Sequence, residues 1–172
     1  MSHFLADDGA KLHVKISGEG SPIIMLHGWT SSHQEWFPFL HELHKRHRVY
    51  RWDARGHGNH PLENENLPTV ERMARDLHNL LDHYGLDKVA AVGHSMGALT
   101  LWQYIRDYGT ARLAKLCFID QSPKLLTEPG WARGLEALAR RHEVVAVGQP
   151  PSGEAAFVEP HEAHDPVRHL GQ

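Results

Sequence analysis

A serine stands between two glycines in Gly93-His94-Ser95-Met96-Gly97, after the apolar run Val89–Val92 and before the amphipathic stretch Ala98–Tyr108. A hydroxyl on a sharp strand-to-helix turn can attack a carbonyl carbon, provided a base takes its proton. Glycines suit the flanking positions because such a turn crowds the backbone. The N-terminus of the following helix offers free N–H groups and a partial positive charge to a developing oxyanion. The same five residues also suit a small residue in a tight turn, and the strand–turn–helix context is what favours Ser95 as a nucleophile.

Two further loops fall at strand ends. His27-Gly28-Trp29 follows the apolar run Ile23–Leu26, and its glycine lets a backbone N–H turn toward the edge of a sheet. Asp53-Ala54-Arg55-Gly56-His57-Gly58 ends the short strand pattern Arg48–Asp53. The 16 histidines invite a metal reading. However, "HELH" (His41 to His44) and "HEAH" (His161 to His164) place their histidines three apart, and the helical zinc motif needs four. The histidines read as solvated side chains, and neither a metal nor a cofactor is expected.

The elements that must position these loops are legible. Leu12, Val14 and Ile16 alternate with polar residues, the period of a half-buried strand, and Asp7-Asp8-Gly9 before them suits a hairpin turn. The continuous run Ile23–Leu26 fits a strand buried on both faces. "SSHQEWFPFLHELHKRH" predicts a helix with Trp36, Leu40 and Leu43 on one stripe. Thr69 caps a second helix carrying Val70, Met73, Ala74, Leu77, Leu81 and Tyr84, closed by Gly85. "KVAAV" and "KLCFI" predict buried strands around a helix over Ala98–Tyr108. Strands and helices therefore alternate from 22 to 120, the pattern of an α/β fold with a mainly parallel sheet and helices on both faces. "GLEALARRH" and "EVVAV" would add one helix and one strand.

The chain has 172 residues, 41% hydrophobic and 23% charged, enough for one domain with a core. The net charge of −3 and the lack of a basic block argue against nucleic acid as partner. No apolar run reaches membrane-spanning length, and the first ten residues lack a leader pattern. With Cys117 as its single cysteine, the chain suits a reducing compartment, so the expected location is cytoplasmic. From Trp131 onward there is no Lys, Ile, Tyr, Asn, Thr, Met or Cys. The expected organisation is a core over 1–130 and an atypical, partly disordered segment over 131–172.

The three loops, in this order and rough spacing, resemble the α/β-hydrolase superfamily, most closely its small esterase, lactonase and cofactor-free haloperoxidase-like members. The resemblance runs from about Leu12 to Pro129. It implies Ser95 as nucleophile and the backbone N–H groups of Trp29 and Met96 as the oxyanion hole. His27, Gly28, Gly93, His94 and Gly97 would shape the loops, and neither histidine matches the superfamily's general base. Arg55 and His57 match its Asp-x-Arg-Gly-His-Gly loop. The superfamily orders its triad Ser, acid, His. Asp120, at the end of what counts as the sixth strand, can fill the acid position, and it can equally be a turn residue before Pro123. His161, His164 and His169 are available as base, none in a recognisable strand-then-loop setting.

Too few residues follow Pro123 for the superfamily's remaining strands and closing helix. The sequence therefore reads as a partial α/β-hydrolase fold, C-terminally truncated or frame-shifted, or as a short variant in which "EVVAV" closes the sheet. Under truncation the "KLCFI" strand would lose its neighbour and expose an apolar edge. The expected function is hydrolysis of small carboxylic esters or lactones through an acyl-enzyme, with Trp29, Trp36, Met96, Leu125 and Trp131 available to line an apolar pocket, though most of these equally suit plain core. The alternative is a non-catalytic ligand-binding module or an inactive fragment, which absence of a base would favour.

Overall fold

The computed structural model describes residues 2–60 and 68–120, and the backbone of 143–147. Its strands are β1 (Ser2–Leu5), β2 (Lys11–Ser17), β3 (Ser21–Leu26), β4 (His47–Trp52), β5 (Val89–His94), β6 (Leu113–Ile119) and β7 (Glu143–Val147). They form one seven-stranded sheet in the order β1-β2-β4-β3-β5-β6-β7. β1 and β2 form the hairpin that Asp7-Asp8-Gly9 predicts, and β2 runs antiparallel to β4; every later pairing is parallel.

Helices lie on both faces. α2 (Val70–His83) and α3 (Met96–Tyr108) bury Met73, Leu77, Leu80, Leu81 and Leu101 against Ile24, Leu26, Ala91 and Phe118 on one face. The other face covers Ile23, Met25 and Val49 with Trp36, Leu40 and Leu43. β3 alternates between the two cores, which is why its apolar run is unbroken. The Thr69 hydroxyl caps α2 by accepting the Arg72 N–H, and Gly85, at φ +58°, closes it in the left-handed region.

Three expectations are corrected. The helix predicted over "SSHQEWFPFLHELHKRH" is a 3-10 helix (His33–Phe39) followed by the single-turn α1 (Leu40–Leu43). Pro38 lacks an N–H and blocks a continuous α-helical ladder, while the apolar stripe survives. α3 begins at Met96, two residues before the apolar periodicity does. The "KLCFI" strand keeps a neighbour, because β7 pairs with β6 in parallel from Lys115↔Glu143 to Ile119↔Val147. β7, predicted from "EVVAV", therefore belongs to the same sheet as the residues before 130. The boundary at 130 and the predicted "GLEALARRH" helix lie outside the described residues. No described helix is long and apolar enough to cross a membrane.

Candidate active site

The sheet order reverses at β3, whose neighbours are β4 on one side and β5 on the other. Ligands of open α/β sheets bind beyond the carboxyl ends of strands at such a point. The register pairs Leu26 with Gly93, so the chain leaves β3 into His27-Gly28-Trp29 level with its exit from β5 into His94-Ser95. The same level is kept by β6, where His94 pairs with Ile119.

Ser95 sits at φ 46°, ψ −107°, a conformation that costs an L-residue on the order of 1–3 kcal/mol. The fold holds it there from both sides. Its N–H donates to the Ile119 carbonyl at 2.9 Å, and its carbonyl accepts the Leu99 N–H at 3.1 Å in the first turn of α3. The two glycines serve close approach, since neither has a positive φ. A Cβ on Gly97 would lie 2.2 Å from the Leu26 carbonyl oxygen. A Cβ on Gly93 would lie 2.6 Å from the Gly97 carbonyl carbon and oxygen. α3 thus starts almost in contact with β3 and β5, and its first N–H, that of Met96, opens at the carboxyl edge of the sheet.

Among the described residues, neither the Trp29 N–H nor the Met96 N–H has a hydrogen-bond acceptor, and no group hydrogen-bonds the Ser95 hydroxyl. The Gly28–Trp29 peptide is held in place. The Gly28 carbonyl accepts the Ser31 N–H at 3.3 Å and the His27 Nδ1–H at 2.7 Å. His27 Nε2 accepts the Ala54 N–H at 3.0 Å, which fixes the tautomer with the proton on Nδ1. Burial pushes the His27 pKa down, against the Gly28 carbonyl. This ring is neutral and ties the loop after β3 to the loop after β4. It is no base for Ser95.

A carboxylate unmarked in the sequence completes the arrangement. Glu35 Oε2 accepts the Gly28 N–H at 3.0 Å, and His94 Nδ1–H donates to Glu35 Oε1 at 2.9 Å. Glu35 lies in a stretch that predicts a plain helix, and only the fold brings it beneath both loops.

Asp53 is the buried anchor of the third loop. It accepts the His33 N–H (2.7 Å), the Asn59 N–H (3.1 Å), His33 Nδ1–H (3.0 Å) and His13 Nδ1–H (2.9 Å). Burial pushes its carboxyl up, but these N–H groups outweigh it and hold the pKa below the usual value. The ligand atoms of His13, His33 and Asp53 lie within 4.8 Å of one another, the spacing a metal site needs. Both Nδ1 atoms are engaged by the carboxylate, and a Cβ on Gly58 would touch Asp53 Cγ at 2.4 Å, so the cluster is a closed hydrogen-bonded knot. It involves neither of the paired-histidine stretches. Arg55 grips Asp76 of α2 through Nε (2.6 Å) and Nη2 (2.8 Å), clamping this loop to the helix.

Asp120 follows Ile119 directly, beside the elbow, at φ 55° and exposed. Trp36 packs in the core on one face of the sheet and the Met96 side chain in the core on the other. Trp29 is 51% exposed and meets His57 edge-on at 5.2 Å between centroids. Leu125, Trp131, His161, His164 and His169 lie outside the described residues.

The family model described as "alpha/beta hydrolase fold" matches residues 21–154. The chain is 33% identical over 129 residues to the non-heme haloperoxidase of Rhodococcus erythropolis, covering 74% of this chain and 47% of that protein. It is 34% identical over 134 residues to 3-oxoadipate enol-lactonase 1 of Acinetobacter baylyi, covering 76% and 48%. Among solved structures, a thermophilic esterase from Thermogutta terrifontis superposes with a TM-score of 0.65 at 29% identity, over 81% of this chain and 52% of that one. The chain spans about half the length of the curated relatives it matches. The strained serine, its flanking glycines and the loop after β3 occur within that match, and the chain belongs to the alpha/beta hydrolase fold family.

Proposed function

We propose that this chain is a cytoplasmic serine hydrolase acting on small carboxylic esters or lactones through an acyl-enzyme at Ser95. The observation that carries the reading is Ser95, held in a strained conformation between β5 and α3 with two acceptor-free amides, Trp29 N–H and Met96 N–H, on the adjoining loop and helix. An ester carbonyl placed there would be attacked by Ser95 Oγ. The developing oxyanion would be received by those amides, which cost no reorganisation because the peptides are already fixed. The serine proton would pass to a histidine and on to the departing alcohol, leaving an acyl-enzyme that water cleaves by the same route. His161, His164 and His169 are the candidates for that base and Asp120 for its acid. The names of the relatives, an enol-lactonase and an esterase, support the substrate class. No cofactor enters this scheme.

The second reading is a ligand-binding module without turnover. Its support is that no described residue hydrogen-bonds the Ser95 hydroxyl. Treating the folded chain with a fluorophosphonate probe and locating the adduct by peptide mass separates the two. Labelling at Ser95, lost in Ser95→Ala, is the expected result. A folded chain that stays unlabelled removes the hydrolase reading and leaves the binding one.

A further inference from the structure

We propose that Glu35 is a positioning residue for this site, a carboxylate clasp that sets the distance between the two loops supplying the oxyanion amides. The claim about reactivity rests on the reading of Ser95 given above. The clasp itself rests on geometry alone. One carboxylate oxygen holds the Gly28 N–H at 3.0 Å, and the other holds His94 Nδ1–H at 2.9 Å. Gly28 precedes Trp29, and His94 precedes Ser95, so one side chain grips the residue before each amide-bearing turn.

The geometry leaves little slack. A Cβ on Gly28 would lie 2.8 Å from His94 Nδ1, so the loop after β3 rides against the His94 ring. The Gly28–Trp29 peptide is trans, so the Trp29 N–H points opposite to the Gly28 carbonyl. That carbonyl is fixed by His27 and Ser31. With Glu35 on the preceding N–H, both peptide planes flanking Gly28 are pinned, and the direction of the Trp29 N–H is set. On the other side, fixing His94 fixes the last residue of β5, one step from Ser95 and two from the Met96 amide. Glu35 is in turn held at the start of the 3-10 helix, its N–H donating to the Ser32 carbonyl at 3.0 Å. Its side chain is one-fifth exposed, which makes its hydrogen bonds stronger than those of a surface pair.

A glutamine can keep both contacts: its carbonyl accepts the Gly28 N–H and its amide N–H₂ donates to a His94 ring with the opposite tautomer. An alanine keeps neither. The test compares the full-length chain with Glu35→Ala and Glu35→Gln by saturation kinetics of fluorophosphonate labelling at Ser95 and by amide hydrogen exchange at Gly28. Loss of hydrogen bonds to a charged acceptor predicts a fall of about tenfold or more in the maximal labelling rate of Glu35→Ala, with half-saturation little changed. Exchange at Gly28 accelerates by about tenfold, and both effects return to within about threefold of wild type in Glu35→Gln. A merely structural role would lower thermal stability without that rescue pattern. Should Glu35→Ala not fold, Glu35→Asp, one methylene too short to reach both partners, takes its place with the same expectation. Wild-type labelling and Gly28 exchange in the truncated variants overturn the proposal. If the wild-type chain itself does not label, the reading of Ser95 falls, and Gly28 exchange alone decides the clasp: accelerated upholds it, unchanged overturns it.

Discussion

Replacing Gly97 with alanine sets two effects against each other. In the body of a helix, glycine is about 1 kcal/mol worse than alanine, so propensity alone predicts that the change stabilises α3. Packing predicts the reverse. The added methyl would lie 2.2 Å from the Leu26 carbonyl oxygen and 2.6 Å from its carbon. An unstrained carbon–oxygen contact is about 3.3 Å, so α3 would have to lift by roughly 1 Å. Leu26 cannot yield instead, because β3 is paired on both sides, with β4 and β5. Overpacking costs about 1–3 kcal/mol, and an obstacle made of paired backbone belongs at the top of that range. The net expectation is a loss of roughly 2 kcal/mol, or a melting temperature lower by about 4–8 °C for a chain of this size. The Met96 amide moves with the helix, and a displacement of about 1 Å at a reacting centre can cost on the order of 100-fold in rate. Urea unfolding and fluorophosphonate labelling of Gly97→Ala measure the two consequences. A variant as stable as wild type, or more so, would refute the close-approach argument, because propensity would then have prevailed.

Ser95→Gly should abolish labelling and stabilise the fold by about 1 kcal/mol, because glycine tolerates φ 46° and recovers more strain than its extra chain entropy costs; a lower urea midpoint contradicts the claim of strain. Asp76→Ala strips Arg55 and Arg72 of the carboxylate they share and should cost about 3 kcal/mol, the low end for a broken buried pair since both arginines are partly exposed; calorimetric melting that does not move would show that Asp76 is not the clamp. Acid stability follows from two carboxyls held below their usual values. Hydrogen bonding to Arg55 lowers Asp8 to about 2, and backbone and His33 N–H groups overcome burial to lower Asp53. For both, the unfolded chain binds protons first as pH falls, so their contribution is complete above about pH 4 and is lost as pH falls below it, for Asp8 toward pH 2. Urea midpoints should fall across that window, and less steeply in Asp8→Asn; midpoints that stay flat or rise on acidification run against this assignment.

The sheet was legible because its strands are short apolar runs separated by capped helices. Leu12, Val14 and Ile16 announced one buried face, and Ile23–Leu26 announced two. The elbow was legible because Gly93 and Gly97 are required by crowding, which spacing alone can signal. What stayed hidden depends on contacts between distant segments. Glu35 and His94 are 59 residues apart, and a lone glutamate in an apparently helical stretch carries no mark of its partners. The His13–Asp53–His33 knot joins three different segments, so no local spacing of histidines could reveal it. The break in the first helix is written in Pro38, whereas the stripe of Trp36, Leu40 and Leu43 fits a continuous helix equally well. The late strand at Glu143–Val147 is visible as an apolar run, and of its two readings the one in which it closes the sheet matches the pairing of β7 with β6, while the exposed edge expected under truncation is not found there.

The most direct test of the account is a crystal structure of the chain after reaction with a small phosphonate. The account predicts phosphorus bonded to Ser95 Oγ, with the phosphonyl oxygen about 3 Å from both the Trp29 and Met96 nitrogens. An adduct whose oxygen faces solvent while those amides engage other groups, or crystals in which Ser95 stays unmodified, would contradict it.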